Sequence, residues 1–115
     1  MRHRKKGNRL GRFSAERKAL LRSLVTALFK HESIITTEAK AKELIPLAER
    51  LISIAKKQDV NAIRRVSRII YEKEVASKLF SSSHLFSRES GHIRIFKLGV
   101  RQGDGAPLVK VALIK

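Results

Sequence analysis

The chain has 115 residues, of which 43% are hydrophobic and none is cysteine or tryptophan, and 26 Lys and Arg against 10 Asp and Glu give a formal net charge of +16. That length suits a single domain burying roughly two-thirds of its unfolded surface, and the lack of cysteine excludes disulfides and thiolate metal sites. No apolar run approaches the length needed to span a bilayer, and the N-terminus lacks the apolar core of a secretory signal, so an intracellular protein is expected.

Residues 1–12, MRHRKKGNRLGR, hold six Lys or Arg and no acid. Such a segment cannot bury enough apolar surface to offset its own ordering entropy, so it predicts an arm that gains structure on a polyanion. Phosphates would pair with its cations and release condensed counterions. Residues 1–30 carry ten basic groups and one acid, whereas residues 31–80 carry ten basic and seven acidic groups. Uniform solubilisation would not concentrate charge in this way; a nucleic-acid-binding face would. The expected organisation is a basic arm, 1–12, followed by one globular domain, 13–115.

Ser14 and Glu16 suit the start of a helix over about 14–31. Leu20, Leu21, Leu24, Val25 and Leu28 fall on one face, with Lys18, Arg22, Thr26 and Lys30 on the other. Only Glu16 is present to balance those cations, so Lys18, Arg22 and Lys30 are expected to contact RNA or DNA. His31, closing this helix, and His3, within the arm, read as donors to phosphate or sugar. Residues 33–36 are short and β-branched, suiting a strand or extended connection.

Thr37 is placed to cap a second helix with Glu38 in its first turn. Leu44, Ala48, Leu51, Ile52 and Ala55 form its apolar stripe, with Lys42, Glu49, Ser53 and Lys57 opposite. Pro46 falls on the polar side, where water can satisfy the freed carbonyl, so a bend rather than a break is expected. The free backbone N–H groups and positive end of this helix, with Lys40, suit a phosphate. Asp59 predicts a cap for a third helix over about 60–70, with Val60, Ile63, Val66 and Ile70 inward. Arg64, Arg65 and Arg68 form a secondary basic patch there. A fourth helix, about 72–80, carries Val75, Ala76, Leu79 and Phe80, and Leu85 and Phe86 are expected to pin the polar connection 81–90 to the core.

The periodicity then falls to two. Residues 92–98 and 108–115 predict an antiparallel hairpin joined by the turn-rich stretch 99–107, and residues 34–36 can add a third strand. Ile93, Ile95 and Leu98 are expected to face inward opposite Val109, Val111 and Leu113. His92, Arg94 and Phe96 would face away, which makes Arg94 available to RNA. Arg101 at the loop tip is a further candidate contact, with Asp104 stabilising the turn. The expected fold is α+β: about four helices packed on a small sheet built from the C-terminal hairpin and one short strand.

Nothing in this pattern carries chemistry. The histidines at 3, 31, 84 and 92 have no ligand spacing, Glu72 and Glu74 point to different sides of a helix, and Ser81, Ser82 and Ser83 lack a nucleophile-elbow setting. The stretch 99–105 precedes a strand, whereas a phosphate-cradling loop leads into a helix. Neither a metal, a cofactor nor a catalytic residue is expected. Five Phe and one Tyr make a weak stacking platform, so structured RNA read through backbone and shape suits the chain better than single strands. A DNA-binding regulator is the alternative, but the connection from His31 to Thr37 is too long and too β-branched for a helix-turn-helix.

Three stretches carry a family resemblance: MRHRKKGNRLGR at residues 1–12, IITTEAKAKEL at 34–44 and KLGVRQGDGAP at 97–107. Together they resemble the bacterial-type large-subunit ribosomal protein seventeen family, in order and spacing along the whole chain. The resemblance implies a structural, assembly-supporting and non-catalytic protein on large-subunit ribosomal RNA, located in the ribosome of the cytoplasm. Its partners would be that RNA and neighbouring large-subunit proteins, with no membrane and no small-molecule substrate. The family's basic motif maps onto Arg2, His3, Arg4, Lys5, Lys6, Arg9 and Arg12. Its second motif maps onto Thr36, Thr37, Lys40 and Lys42.

Overall fold

A computed structural model of the chain describes residues 14–86 and 91–114. Its elements are, in order, α1 (Ser14–His31), β1 (Ser33–Thr37), α2 (Glu38–Ala55), α3 (Val60–Ser67), α4 (Lys73–Ser82), a short 3-10 turn (Ser83–Leu85), β2 (Ile93–Val100) and β3 (Pro107–Leu113). Four helices pack on one three-stranded sheet, as the change of periodicity predicted. All pairings are antiparallel and the strand order is β1-β3-β2, so the last strand is the central one.

Helix α1 presents Val25, Leu28 and Phe29 to the core and packs against α2, α4 and the sheet. It ends where Glu32 turns into the left-handed region, φ +68°, and donates its N–H to Leu28 O at 2.7 Å. That closure satisfies one of the orphan carbonyls at a helix C-terminus and turns the chain directly into β1. Helix α2 is the centre of the domain: Ala41, Leu44, Ala48, Leu51, Ile52 and Ala55 are buried at helical spacing. Pro46 is exposed and α2 runs unbroken through it. Gln58, also left-handed at φ +58°, holds the corner after α2. Its side-chain amide lies 2.9 Å from Ala55 O, 2.9 Å from Phe80 O and 2.6 Å from Ser83 Oγ, tying this corner to the end of α4.

Asp59 caps α3 as expected, accepting from the Ala62 N–H at 2.7 Å. The inward face of α3 differs from expectation. Val66 and Ile70 are buried as expected and Ala62 joins them, whereas Val60 and Ile63 are 62% and 50% exposed, and the helix stops at Ser67. A two-turn helix buries only the stripe its neighbours cover, and the cap register aims Ala62 at that seam. Phe86 is buried and sits edge-on to the His92 ring at 5.5 Å, but Leu85 is exposed, so only one of the two expected residues pins the connection.

The hairpin departs further from expectation. Strand β3 lies between two partners and its Val109 and Val111 are buried. Strand β2 is an edge: Ile95 lies opposite Val111, on the expected face, yet is 38% exposed, Leu98 is 50% exposed, and only Ile93 of this strand packs against the core. A bulge between Lys97 and Gly99 shifts the register, so alternation read across it changes face. His92, expected to face away, is fully buried. Its backbone N–H donates to Glu49 Oε1 at 2.6 Å, its Nδ1 lies 2.8 Å from Glu49 Oε2, and its Nε2 lies 3.1 Å from Lys56 Nζ. Glu49, which the helical wheel put opposite the apolar stripe, is thus the link from α2 to the start of the hairpin.

Candidate nucleic-acid interface

Helical spacing decides which cations share a surface. Lys18, Arg22, Thr26 and Lys30 recur every four residues along α1 in one slowly winding row, in which Arg22 and Thr26 border buried Val25 and Phe29 while Lys18 and Lys30 are exposed. Lys18, Lys30 and His31 are exposed and Arg22 is half-buried. The half-burial of Arg22 has a specific cause. Its guanidinium carbon stands 5.1 Å from the centre of the Tyr71 ring, and one of its nitrogens donates to the Tyr71 hydroxyl.

Tyr71 lies just before α4, and with Glu72 it forms the far wall of a groove running along α1. The groove encloses about 550 Å³, and Arg22, Lys30 and His31 line its α1 side. Lys30 Nζ stands 3.7 Å from Glu72 Oε2, and Lys78 Nζ donates to Lys30 O at 2.9 Å, closing the end of α1 onto α4. Of the candidate residues, only Arg22, Lys30 and His31 come together in this groove; Lys18 stands further up the same helix.

A second group gathers where β1 passes into α2. Thr36 and Thr37 pair with Val109 and Leu108 of the central strand, which holds the N-terminus of α2 against the sheet. Thr37 occupies the cap position with extended backbone, φ −74° and ψ 154°, but its side chain makes no capping hydrogen bond. The expected cap is therefore a position without its bond. Lys40 is half-buried one turn on, and exposed Lys42 stands 3.9 Å from Glu38 Oε1.

The hairpin cations are arranged differently. Arg94 is exposed on β2, opposite Ala112 of β3. Arg101 is exposed in the loop but faces Asp104, with its Nε donating to Oδ1 at 3.1 Å and a terminal nitrogen donating to Oδ2. Asp104 also accepts from the Ala106 N–H at 3.1 Å, and Arg101 N donates to Ala106 O at 2.8 Å. The hydrogen bond from Arg101, then that from Ala106, lowers the Asp104 carboxyl to about 2, and the same pairing raises Arg101. Asp104 thus stabilises the turn as expected, while Arg101 is engaged within its own loop.

The arm residues Arg2, His3, Arg4, Lys5, Lys6, Arg9 and Arg12 lie outside the described residues. Arg64, Arg65 and Arg68 are exposed around the end of α3. Among the described residues no group of three His, Cys, Asp or Glu is placed to hold a metal ion, and no helix is long and apolar enough to cross a membrane. Sequence reasoning missed Tyr71 as part of this surface, although its being the one tyrosine beside an acid at a helix start was visible. Its partner Arg22 is 49 positions away, beyond the reach of local pattern.

The family model described as Ribosomal protein L17 matches residues 20–114, which take in α1 from its second turn through to β3. A relative from Desulforapulum autotrophicum, named large ribosomal subunit protein bL17, is 52% identical over 99% of this chain and 97% of its own length. Proteins of the same name from Geobacter sulfurreducens and Trichlorobacter lovleyi are 47% and 44% identical over the whole chain, which covers 67% and 94% of their respective lengths. The matched stretch takes in α2 to α4, all three strands and α1 from Leu20 onward, and the chain belongs to the ribosomal protein L17 family.

Proposed function

We propose that this chain is a structural constituent of the large ribosomal subunit that binds large-subunit ribosomal RNA and supports assembly of the subunit in translation. The observation that carries this reading is the row of Lys18, Arg22 and Lys30 along α1, with His31 at its end, on a helix anchored in the core by Val25, Leu28 and Phe29. A rigid row of cations facing solvent matches the spaced phosphates of folded RNA without any ordering cost to the helix. Residues 1–12 would extend the row as the main electrostatic anchor, and residues 13–115 would act as the single domain that carries it. Thr36, Thr37, Lys40 and Lys42 would form a second phosphate contact, where free N–H groups and a positive helix end already favour an anion. Arg94 and Arg101 would be lesser contacts on the hairpin.

The role is binding rather than catalysis, without cofactor or small-molecule substrate, in the ribosome of the bacterial cytoplasm beside other large-subunit proteins. The names of the relatives support placement in the large subunit. A DNA-binding helix-turn-helix finds no support, because the link between α1 and α2 is a strand paired in the sheet. The test is co-sedimentation of tagged chain with large subunits through a high-salt wash. Retention in stoichiometric amount is expected, and recovery only in the free protein fraction would overturn the reading.

A further inference from the structure

The groove beside α1 contains more than a basic surface needs. Tyr71 is 67% exposed, yet its ring is held in place by Arg22 through both the ring and the hydroxyl. An exposed ring that is already oriented loses little freedom when a second flat group stacks on it. Across the groove, Lys30 and His31 offer donors, and the Lys30–Glu72 pair is exposed on both sides at 3.7 Å. Such a pair is weak, so Lys30 can exchange its carboxylate for a phosphate at little cost. The volume of about 550 Å³ falls within the span of small-ligand clefts, about 300–1,000 Å³.

We propose that this groove holds one unstacked nucleotide of the bound RNA, with its base on the Tyr71 ring and its phosphate against Lys30 and His31. The proposal rests on the RNA-binding reading above and sharpens it. A bare phosphate would use the cations and leave the ring idle. A paired helix offers no free base face, so the nucleotide comes from a loop or a bulge, where bases splay out onto aromatic side chains. Arg22 acts as a positioning residue here, setting the angle of the ring.

Filter binding of the full chain to large-subunit ribosomal RNA over a range of salt concentrations tests this, with Tyr71→Phe and Tyr71→Leu beside the unmutated chain. Tyr71→Phe is expected to bind within about twofold of the unmutated chain, because the stacking face is kept. Tyr71→Leu is expected to lose roughly five- to a hundredfold in affinity with an unchanged salt slope, because stacking releases no counterions. Tyr71 is the chain's one tyrosine and there is no tryptophan, so the intrinsic emission of the unmutated chain reports on this ring alone. That emission should fall in step with the binding curve at matched absorbance. Equal affinity of Tyr71→Leu and unmutated chain, a flattened slope in Tyr71→Leu, or constant emission at saturation would each overturn the nucleotide site. Failure of the unmutated chain to bind the RNA at all would instead overturn the broader reading.

Discussion

The α1 strip and the β2–β3 loop both present cations to solvent, but they differ in where the compensating acids stand. In the loop, Arg101 meets Asp104 three residues away, and the two form a closed pair inside one turn. On α1, Lys18 and Arg22 are followed by no acid on their strip, and Lys30 is met only loosely by Glu72 from another element. A tight local pair is satisfied before any ligand arrives, whereas a row of like charges on a rigid helix gains by meeting phosphate. Net charge counts both regions alike; availability to RNA separates them.

The largest expected effect tests whether the α1 side dominates. Deleting residues 2–12 removes six cations that precede α1 in the sequence. If half of them neutralise phosphates, the slope of log affinity against log salt should flatten by about 3, using a duplex-derived value of roughly 0.9 per phosphate. The thermal midpoint of the free domain should stay nearly constant. An unchanged slope would move the main contact away from this side of the molecule.

Next is a contrast in stability between the two regions. Leu28→Ala opens a cavity beneath the strip, where the side chain is fully buried, and should cost about 2–5 kcal/mol in a denaturant melt. Ile95→Ala on the edge strand should cost only about 1 kcal/mol, because the residue is partly exposed and its surroundings can relax. Equal losses would mean that β2 is as deeply built into the core as α1.

The smallest effect concerns the loop pair itself. Asp104→Asn frees Arg101, so RNA affinity should rise slightly and the salt slope steepen by up to about 1. In the intact chain Asp104 titrates at about 2, below the ordinary carboxylate value of 3.8. A depressed folded-state value means that the pairing favours the native turn above about pH 4 and is lost as pH falls toward 2. Following the Asp104 carboxyl carbon by NMR should give a midpoint near 2; one near 4 would show Arg101 already free, and erase the contrast with α1.

Much of this molecule is written in short-range pattern. Leu20 to Leu28 against Lys18, Arg22 and Lys30 reads as an amphipathic helix because every residue involved lies within about four turns. Asp59 reads as a cap because its donor, the Ala62 N–H, is three residues on. The Arg101–Asp104 turn is equally local. The errors occur where partners are distant. Val60 and Ile63 suited an inward face of α3 beside Val66 and Ile70, but the neighbouring elements cover Val66 and Ile70 with Ala62 and leave the first two exposed. Thr37 stands at its cap position, yet the hydrogen bond that defines a cap depends on a side-chain rotation that the residue type does not dictate.

The four helices, the C-terminal hairpin, a short added strand near 34–36 and the basic row along α1 were all legible in local pattern. Each follows from repeats of two or 3.6 residues, which the backbone imposes locally. Which strand is central was set by packing across the chain, and with it that Val109 and Val111 are buried while Ile95 and Leu98 stand at an edge. The same packing turned His92 inward onto Glu49 and set Tyr71 beside Arg22, pairs 43 and 49 residues apart. Alternation along a strand gives two faces but does not say which neighbour will cover them. That choice is made by packing between segments far apart in the chain, where burial of one face excludes burial of the other.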